Sequence, residues 1–255
     1  MNYIVFDLEF NQNLSSKKEN KDLIFSECPF EIIQIGAVKL DKNLQILYTF
    51  DRLVKPKLYT TMNPFVEEMT GITIDMLNTA ESFKEVYKEF LKFIGSDRSI
   101  FCVWGVSDIK ELFRNIKYHN LDVINFPKEY INLQSYVSKY FKLPKGINVG
   151  LQNAVELLKL NLQGDFHNAF NDAYYTAEIF KKIYNEKLKI NTYDINKNTR
   201  NKIEKSKLDT SRLIKQFEKM FNREMSEEEQ RIIELAYMMG KTRQFEISNS
   251  DSSKD

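Results

Sequence analysis

Asp7 and Glu9 stand in Asp7-Leu8-Glu9, directly behind the apolar run Tyr3-Ile4-Val5-Phe6 and ahead of another aromatic, Phe10. A β-branched and aromatic run of this kind reads as a buried strand. Side chains alternate across a strand, so the two carboxylates project from one face, close together. Such a pair is unfavourable in a core unless cations neutralise it. Two hard oxygen donors converging on one spot suit Mg²⁺ or Mn²⁺. Asp108, in Trp104-Gly105-Val106-Ser107-Asp108, opens a predicted helix and offers a third carboxylate. His167 and Asp172 lie together in Phe166-His167-Asn168-Ala169-Phe170-Asn171-Asp172. One continuous helix would set these two on different faces. With Asn168 as the helix cap, His167 stays in the preceding loop and Asp172 rides the first turns. That arrangement separates a fixed metal ligand from a movable base, and histidine is the side chain whose ordinary titration falls near neutral pH.

The elements that must hold these residues follow from periodicity. Strand-like segments at Phe30–Leu40 and Leu44–Val54 flank Asp41-Lys42-Asn43, which reads as a hairpin turn. A short helix is expected near Phe65–Met69, and a longer one from Ser82, with Phe83, Val86, Tyr87, Phe90, Leu91 and Ile94 at helical spacing and Gly95 as its stop. Ile100–Trp104 reads as a strand followed by a helix at Ile109–Ile116, and Tyr130–Leu133 as a fifth strand. Helical patterns return at Ser135–Phe141, Leu151–Leu158 and Ala169–Leu188. Three strands followed by strands alternating with helices imply an α/β fold, a mixed sheet of five strands flanked by helices. Residues 189–207 read as a linker, 208–243 as a helical hairpin and 244–255 as a disordered tail. The hairpin comprises Thr210–Phe221 and Glu227–Gly240, the second helix opening on the capping box Ser226 and Glu229. It is expected to dock on the main domain.

Bulk properties narrow the class. No apolar stretch approaches the roughly 20 residues that span a bilayer, so no membrane role is expected. Cys28 and Cys102 stand alone, which supports neither a disulfide framework nor a thiolate zinc site and points to a cytoplasmic setting. The net charge of +1 conceals a basic stretch at residues 181–223, with 13 Lys/Arg against 5 Asp/Glu. A basic segment behind an acidic, metal-seeking core suits a nucleic-acid substrate, and equally suits a solvated linker and helix face.

Asp7-x-Glu9, Asp108 and His167-x-x-x-x-Asp172, in that order, resemble the DEDDh group of 3′→5′ exonucleases, the RNase T and polymerase III proofreading-subunit superfamily with an RNase H-like fold. Val54-Lys55-Pro56, Phe65, Thr70-Gly71-Ile72-Thr73, Trp104-Gly105-x-x-Asp108 and Glu31-Ile32-Ile33-Gln34-Ile35-Gly36-Ala37-Val38 resemble the subgroup of RNA-interference-limiting and histone-mRNA exonucleases. A bacterial branch of that subgroup is named for inhibiting a sporulation-kinase pathway. The resemblance covers residues 1–188 and leaves the hairpin outside. It implies that Asp7, Glu9, Asp108 and Asp172 hold two Mg²⁺ ions, with Mn²⁺ as a substitute. It implies further that His167 takes a proton from the attacking water, and that the products are a nucleoside 5′-monophosphate and a shortened single strand of RNA or DNA. By the same resemblance Leu8 (through its backbone), Phe10, Phe65, Met69 and Thr70 meet the 3′ nucleotide. Val106 departs from the subgroup, where an acid is frequent, and the Asn11–Cys28 insertion with Lys17, Lys18 and Lys21 has no counterpart.

The rival expectation is a regulatory binding module that recognises a protein partner through the hairpin, with catalysis secondary or absent. His119, in Lys117-Tyr118-His119-Asn120, reads as a surface residue at a helix end, Trp104 as core packing, and one of Tyr174 and Tyr175 as core. Gly240-Lys241-Thr242 lacks the upstream glycine and strand of a phosphate-binding loop.

Overall fold

The computed structural model describes residues 1–13, 27–124, 126–144, 147–161, 164–185, 188–195 and 210–241. The chain divides into two compact units, Met1–Ile195 and Asn196–Asp255.

The first unit is built on β1 (Asn2–Asn11), β2 (Glu31–Leu40), β3 (Ile46–Lys55), β4 (Glu81–Ser82), β5 (Ser99–Val103), β6 (Glu129–Asn132) and β7 (Asn191–Thr192). These form one sheet in the order β4-β3-β2-β1-β5-β6-β7. β1 runs antiparallel to β2 and parallel to β5, so the sheet is mixed. Among the described residues it has seven strands where five were expected. The additions, β4 and β7, are two residues each, too short to carry a period-2 signal. β7 lies within the stretch read as linker and pairs with β6. The rest of that stretch, residues 196–207, falls outside the described residues, as do residues 14–26 of the Asn11–Cys28 insertion and the 244–255 tail.

The helices are α1 (Pro64–Thr70), α2 (Ile74–Asn78), α3 (Phe83–Ile94), α4 (Ser107–Tyr118), α5 (Leu133–Tyr140), α6 (Leu151–Leu157) and α7 (Ala169–Ile183). Their ends carry the expected chemistry. The Ser82 hydroxyl accepts from Glu85 N–H to open α3, and Gly95, at φ 77°, closes it. α7 stops at Ile183 rather than running to Leu188, because Tyr184 turns extended while still packing on the core.

Strand alternation divides the core between the two faces of the sheet. Ile4, Phe6 and Leu8 of β1 pack with residues of α3 and α4, whereas Tyr3 and Val5 pack with residues of α7. Asp7 and Glu9 continue the odd-numbered set, so their carboxylates emerge on the α7 face. Gly36, the register partner of Asp7, lets α7 approach that face closely: a Cβ at Gly36 would lie 2.1 Å from the Ala169 carbonyl carbon. This close approach brings the start of α7 over the acid-bearing end of β1.

In the second unit the described residues form α8 (Thr210–Phe221) and α9 (Glu227–Lys241). The capping box is complete, with Ser226 N–H donating to Glu229 and Glu229 N–H to the Ser226 hydroxyl. Arg223 also pairs with Glu229, and this ion pair together with the cap holds the Glu229 carboxyl down at about 2. Gly240 lies inside α9, so no phosphate-binding loop forms there.

Candidate metal and nucleic-acid site

Asp7, Glu9 and Asp172 each present a carboxylate oxygen, and these oxygens all lie within 4.8 Å of one another. Asp7 and Glu9 come from the same face of β1, and a bulge follows directly at Glu9/Phe10. Asp172 comes from the first turns of α7. Asn168 caps that helix, its side chain accepting from Phe170 and Asn171 N–H. His167 therefore stays in the loop, exposed, with a left-handed backbone at φ 64°. Its own N–H donates to Asp172 Oδ2 at 3.1 Å, which ties the loop to the carboxylate. Asp108 sits in the first turn of α4, behind the end of β5, the parallel neighbour of β1. It lies outside the close trio, but its charge acts on both Asp7 and Glu9.

Electrostatics makes this a strained collection. Burial, then the charges of Asp108, Asp172 and Glu9, push the Asp7 carboxyl well above the ordinary carboxylate range. Burial and the other acids raise Glu9 to about 8. Burial raises Asp108 to about 7 against a partly offsetting bond from its own backbone N–H. Asp172 rises to about 6, again by burial, with the His167 N–H bond working the other way. The side-chain charges acting on Asp7, Glu9 and Asp108 are all carboxylates. Asp172 Oδ1 is buried without a hydrogen-bond partner. An all-oxygen donor set with an orphaned carboxylate oxygen fits a hard divalent cation, which would supply the missing positive charge.

The other expected site residues occupy diverse settings. Phe65 is 65% exposed on α1, and Met69 is also exposed. The Leu8 side chain is buried in the α3–α4 core, which leaves only its backbone for a ligand. Phe10 is half-buried and meets Phe30 edge-on. The Thr70 hydroxyl is engaged within its own helix end, donating to the Val66 carbonyl and accepting from Ile72 N–H. Val106 is exposed at the start of α4. Lys17, Lys18 and Lys21 lie outside the described residues.

Four buried polar residues, to which the sequence alone gives no individual role, brace the strands around the acids. Asn11 accepts from Asn63 N–H and donates to the Tyr59 and Thr61 carbonyls, fixing the segment that leads into α1. Glu31 accepts from the N–H groups of Lys57, Leu58 and Tyr59. Asn115 of α4 accepts from Ile32 N–H of β2 and donates to the carbonyl of Phe30, just before that strand. Gln34 joins α7 to β3. Each is polar in a strand or helix otherwise read for its apolar pattern, and each bonds partners distant in sequence.

His119 differs from the expectation of a surface residue. Its ring is half-buried and stacks on Phe83 at 4.7 Å, and burial holds its imidazole down at about 4. Trp104 packs against the α7-side core, as does Tyr175, which is buried, while Tyr174 is only partly so.

A mixed sheet with two carboxylates on its central strand and two more on the first turns of flanking helices, beside an exposed histidine, defines an α/β protein suited to hard divalent ions. Residues 4–180, more than half of the chain, match the family described as RNase_T: Exonuclease, and the chain belongs to that family. Among curated relatives, 3′-5′ exoribonuclease 1 of Rattus norvegicus is 26% identical over 159 residues, covering 58% of this chain and 45% of the relative. DNA polymerase III PolC-type of Clostridium perfringens (strain 13 / Type A) is 31% identical over 180 residues, covering 70% of this chain and 11% of the relative. The chain thus spans less than half the length of these relatives. Among solved structures, the nuclease domain of 3′hExo, a DEDDh family member bound to rAMP, superposes with a TM-score of 0.63 at 25% identity. That match covers 76% of this chain and 97% of the other, and the RNase H-like fold is shared. No helix among the described residues is long and apolar enough to cross a membrane.

Proposed function

We propose that the chain is a divalent-metal-dependent 3′→5′ exonuclease that removes nucleoside 5′-monophosphates from single-stranded RNA or DNA ends. The observation that carries this reading is the convergence of Asp7, Glu9 and Asp172 oxygens within 4.8 Å, with Asp108 behind the neighbouring strand β5. Asp7, Glu9, Asp108 and Asp172 would hold the cations, Mg²⁺ or Mn²⁺. When bound, such cations would supply Lewis-acid stabilisation of the negative charge that develops on the phosphodiester. The remaining work falls to the chain. His167, exposed on its loop, would accept the proton of the attacking water. The His167 N–H bond to Asp172 keeps that loop beside the acids. Phe65 would stack on a terminal base, a contact of ~1–3 kcal/mol in single-strand binders. Asn11 and Glu31 support this contact by fixing the segment that precedes α1.

The test is incubation with labelled RNA and DNA oligonucleotides side by side in Mg²⁺, with and without EDTA, and chromatography of the products. Stepwise shortening from the 3′ end, release of 5′-monophosphates and loss of both with EDTA are expected. Internal cleavage, or turnover that survives the chelator, would overturn the reading.

A further inference from the structure

Gln34 is 3% exposed, and both ends of its amide are engaged. Oε1 accepts from Ala169 N–H at 3.1 Å, and Nε2 donates to Asp51 Oδ1 on β3 at 2.8 Å. Ala169 is the first residue of α7, two positions after His167 and three before Asp172. The four N–H groups that open a helix have no partner within it. Here the Asn168 side chain takes those of Phe170 and Asn171, Gln34 takes that of Ala169 from the sheet, and the Asp172 N–H bond to the Asn168 carbonyl is the first within the helix. Gln34 is also the register partner of Glu9 across β1 and β2. One residue thus touches the strand pair bearing the acids, the start of the helix bearing Asp172, and β3.

The chemistry of the contact calls for an amide. A buried N–H on one side requires an acceptor, and a carboxylate on the other requires a donor. Glutamate would satisfy Ala169 but place its second oxygen against Asp51. It would also add a further carboxylate beside Glu9. An apolar side chain would leave the Ala169 N–H buried and unpaired. The neighbouring Gly36 permits the close approach of helix and sheet, but a glycine supplies no directional bond; Gln34 does.

Building on the functional reading of His167 and Asp172, we propose that Gln34 is a positioning residue. It sets the start of α7, and with it the His167 loop, in register with the strand that carries Asp7 and Glu9. Its effect is on the placement of reacting groups rather than on the affinity for the strand.

The test uses the full chain with Q34M, a near-isosteric change without the amide, together with Q34E and the double variant Q34E/D51N. Three quantities are measured: amide hydrogen exchange at Ala169, melting temperature, and kcat and KM on a short single-stranded oligonucleotide in Mg²⁺. In folded Q34M, Ala169 exchange should accelerate and kcat fall on the order of 10²-fold, the scale of a small misplacement of catalytic groups. KM should stay within about threefold, because binding common to ground and transition states is retained. Q34E should be at least as impaired. Adding D51N restores a donor opposite the new carboxylate and should recover about tenfold, the scale of one such hydrogen bond. A folded Q34M with wild-type kcat, or a loss that tracks only the folded fraction, would overturn the proposal. So would a double variant no more active than Q34E. A wild-type chain inactive on every oligonucleotide would instead overturn the exonuclease reading, and Ala169 exchange alone would then decide whether Gln34 holds the helix start.

Discussion

Asp108 and Asp172 each ride the first turns of a helix, α4 and α7, yet the two helices begin in different ways. α7 is held at its tip, where Asn168 and Gln34 between them accept from the N–H groups of its first three residues. α4 begins at Val106, whose side chain makes no capping bond and whose backbone, at φ −110° and ψ −1°, is not extended as caps usually are. That helix is secured further along instead, through fully buried Asn115 on β2. The difference matches what each helix must carry. α4 brings one carboxylate on a rigid rod. α7 brings a carboxylate and, immediately before it, the left-handed turn of His167. A helix that is the continuation of a reactive loop has to be fixed at its first residue.

The largest effects should come from the acids themselves. Asp7→Asn or Asp172→Asn should lower turnover by more than about 10³-fold, since bound metal supplies several kcal/mol of charge stabilisation in such reactions. Asp108→Asn should fall in the same range if α4 delivers its ligand as firmly as α7 does. Steady-state turnover in saturating Mg²⁺ on the three variants makes the comparison. Near wild-type activity in Asp7→Asn or Asp172→Asn would remove the site assignment, and near wild-type activity in Asp108→Asn alone would break the symmetry between the helices.

His167→Ala should follow, with a loss of about 10²–10⁴ in rate, the usual contribution of a positioned general base. Mn²⁺ affinity by calorimetry should largely survive, because the ligand oxygens belong to the carboxylates. A collapse of affinity together with activity would recast His167 as a ligand and move it to the metal side of the α7 loop.

Much of this site was legible because its chemistry coincides with local periodicity. Asp7 and Glu9 are separated by one residue on an apolar strand, and Asn168 is a strong helix cap between His167 and Asp172. Both facts survive without tertiary information. The supports were not legible. Gln34 sits in an apolar strand whose pattern says only that it is buried, and its partners are Asp51 and the distant Ala169. Asn115 and Glu31 bond backbone groups of segments remote in sequence. β4 and β7 are too short for a pattern, and Tyr184 and Leu188 keep a helical spacing of apolar residues after the helix has ended. His119 was misread because Phe83, which covers it, arrives from another helix.

A smaller effect concerns stability in metal-free buffer. Glu9 at about 8, Asp108 at about 7 and Asp172 at about 6, with Asp7 also raised, keep protons that the unfolded chain releases near pH 4. The native state then binds more protons, so stability is fully present below the unfolded values and is lost as pH rises through the folded ones. His119, held at about 4, has the opposite sign: its contribution is present above about 6.5 and is lost as pH falls. The window from about pH 6.5 to 8.5 isolates the acids. Melting temperature there should fall with pH and should recover when Mg²⁺ is added. Asp108→Asn should flatten the slope more than Asp172→Asn, whose folded value lies below the window. A metal-free melting temperature that rises across this range would contradict the burial and mutual repulsion of the acids.

The smallest effects test the two helix starts directly. Asn168→Ala removes the acceptor for two N–H groups and should destabilise by about 1 kcal/mol, the usual cost of losing such a cap. Because the lost cap adjoins His167, turnover of the folded variant should also drop. At the other helix, Val106→Ser introduces a good capping side chain on a backbone that is not in the extended capping conformation. It should therefore yield less than about 0.5 kcal/mol, below the ordinary gain of a new cap, and leave turnover within the range of surface substitutions. Denaturant unfolding of both variants separates the cases. A gain of about 1 kcal/mol in Val106→Ser would mean that the α4 start relaxes readily into a capped geometry. Its anchoring at Asn115 would then not be what fixes Asp108. A loss confined to Asn168→Ala, with Val106→Ser neutral, is the outcome expected if one helix is set by its tip and the other by its shaft.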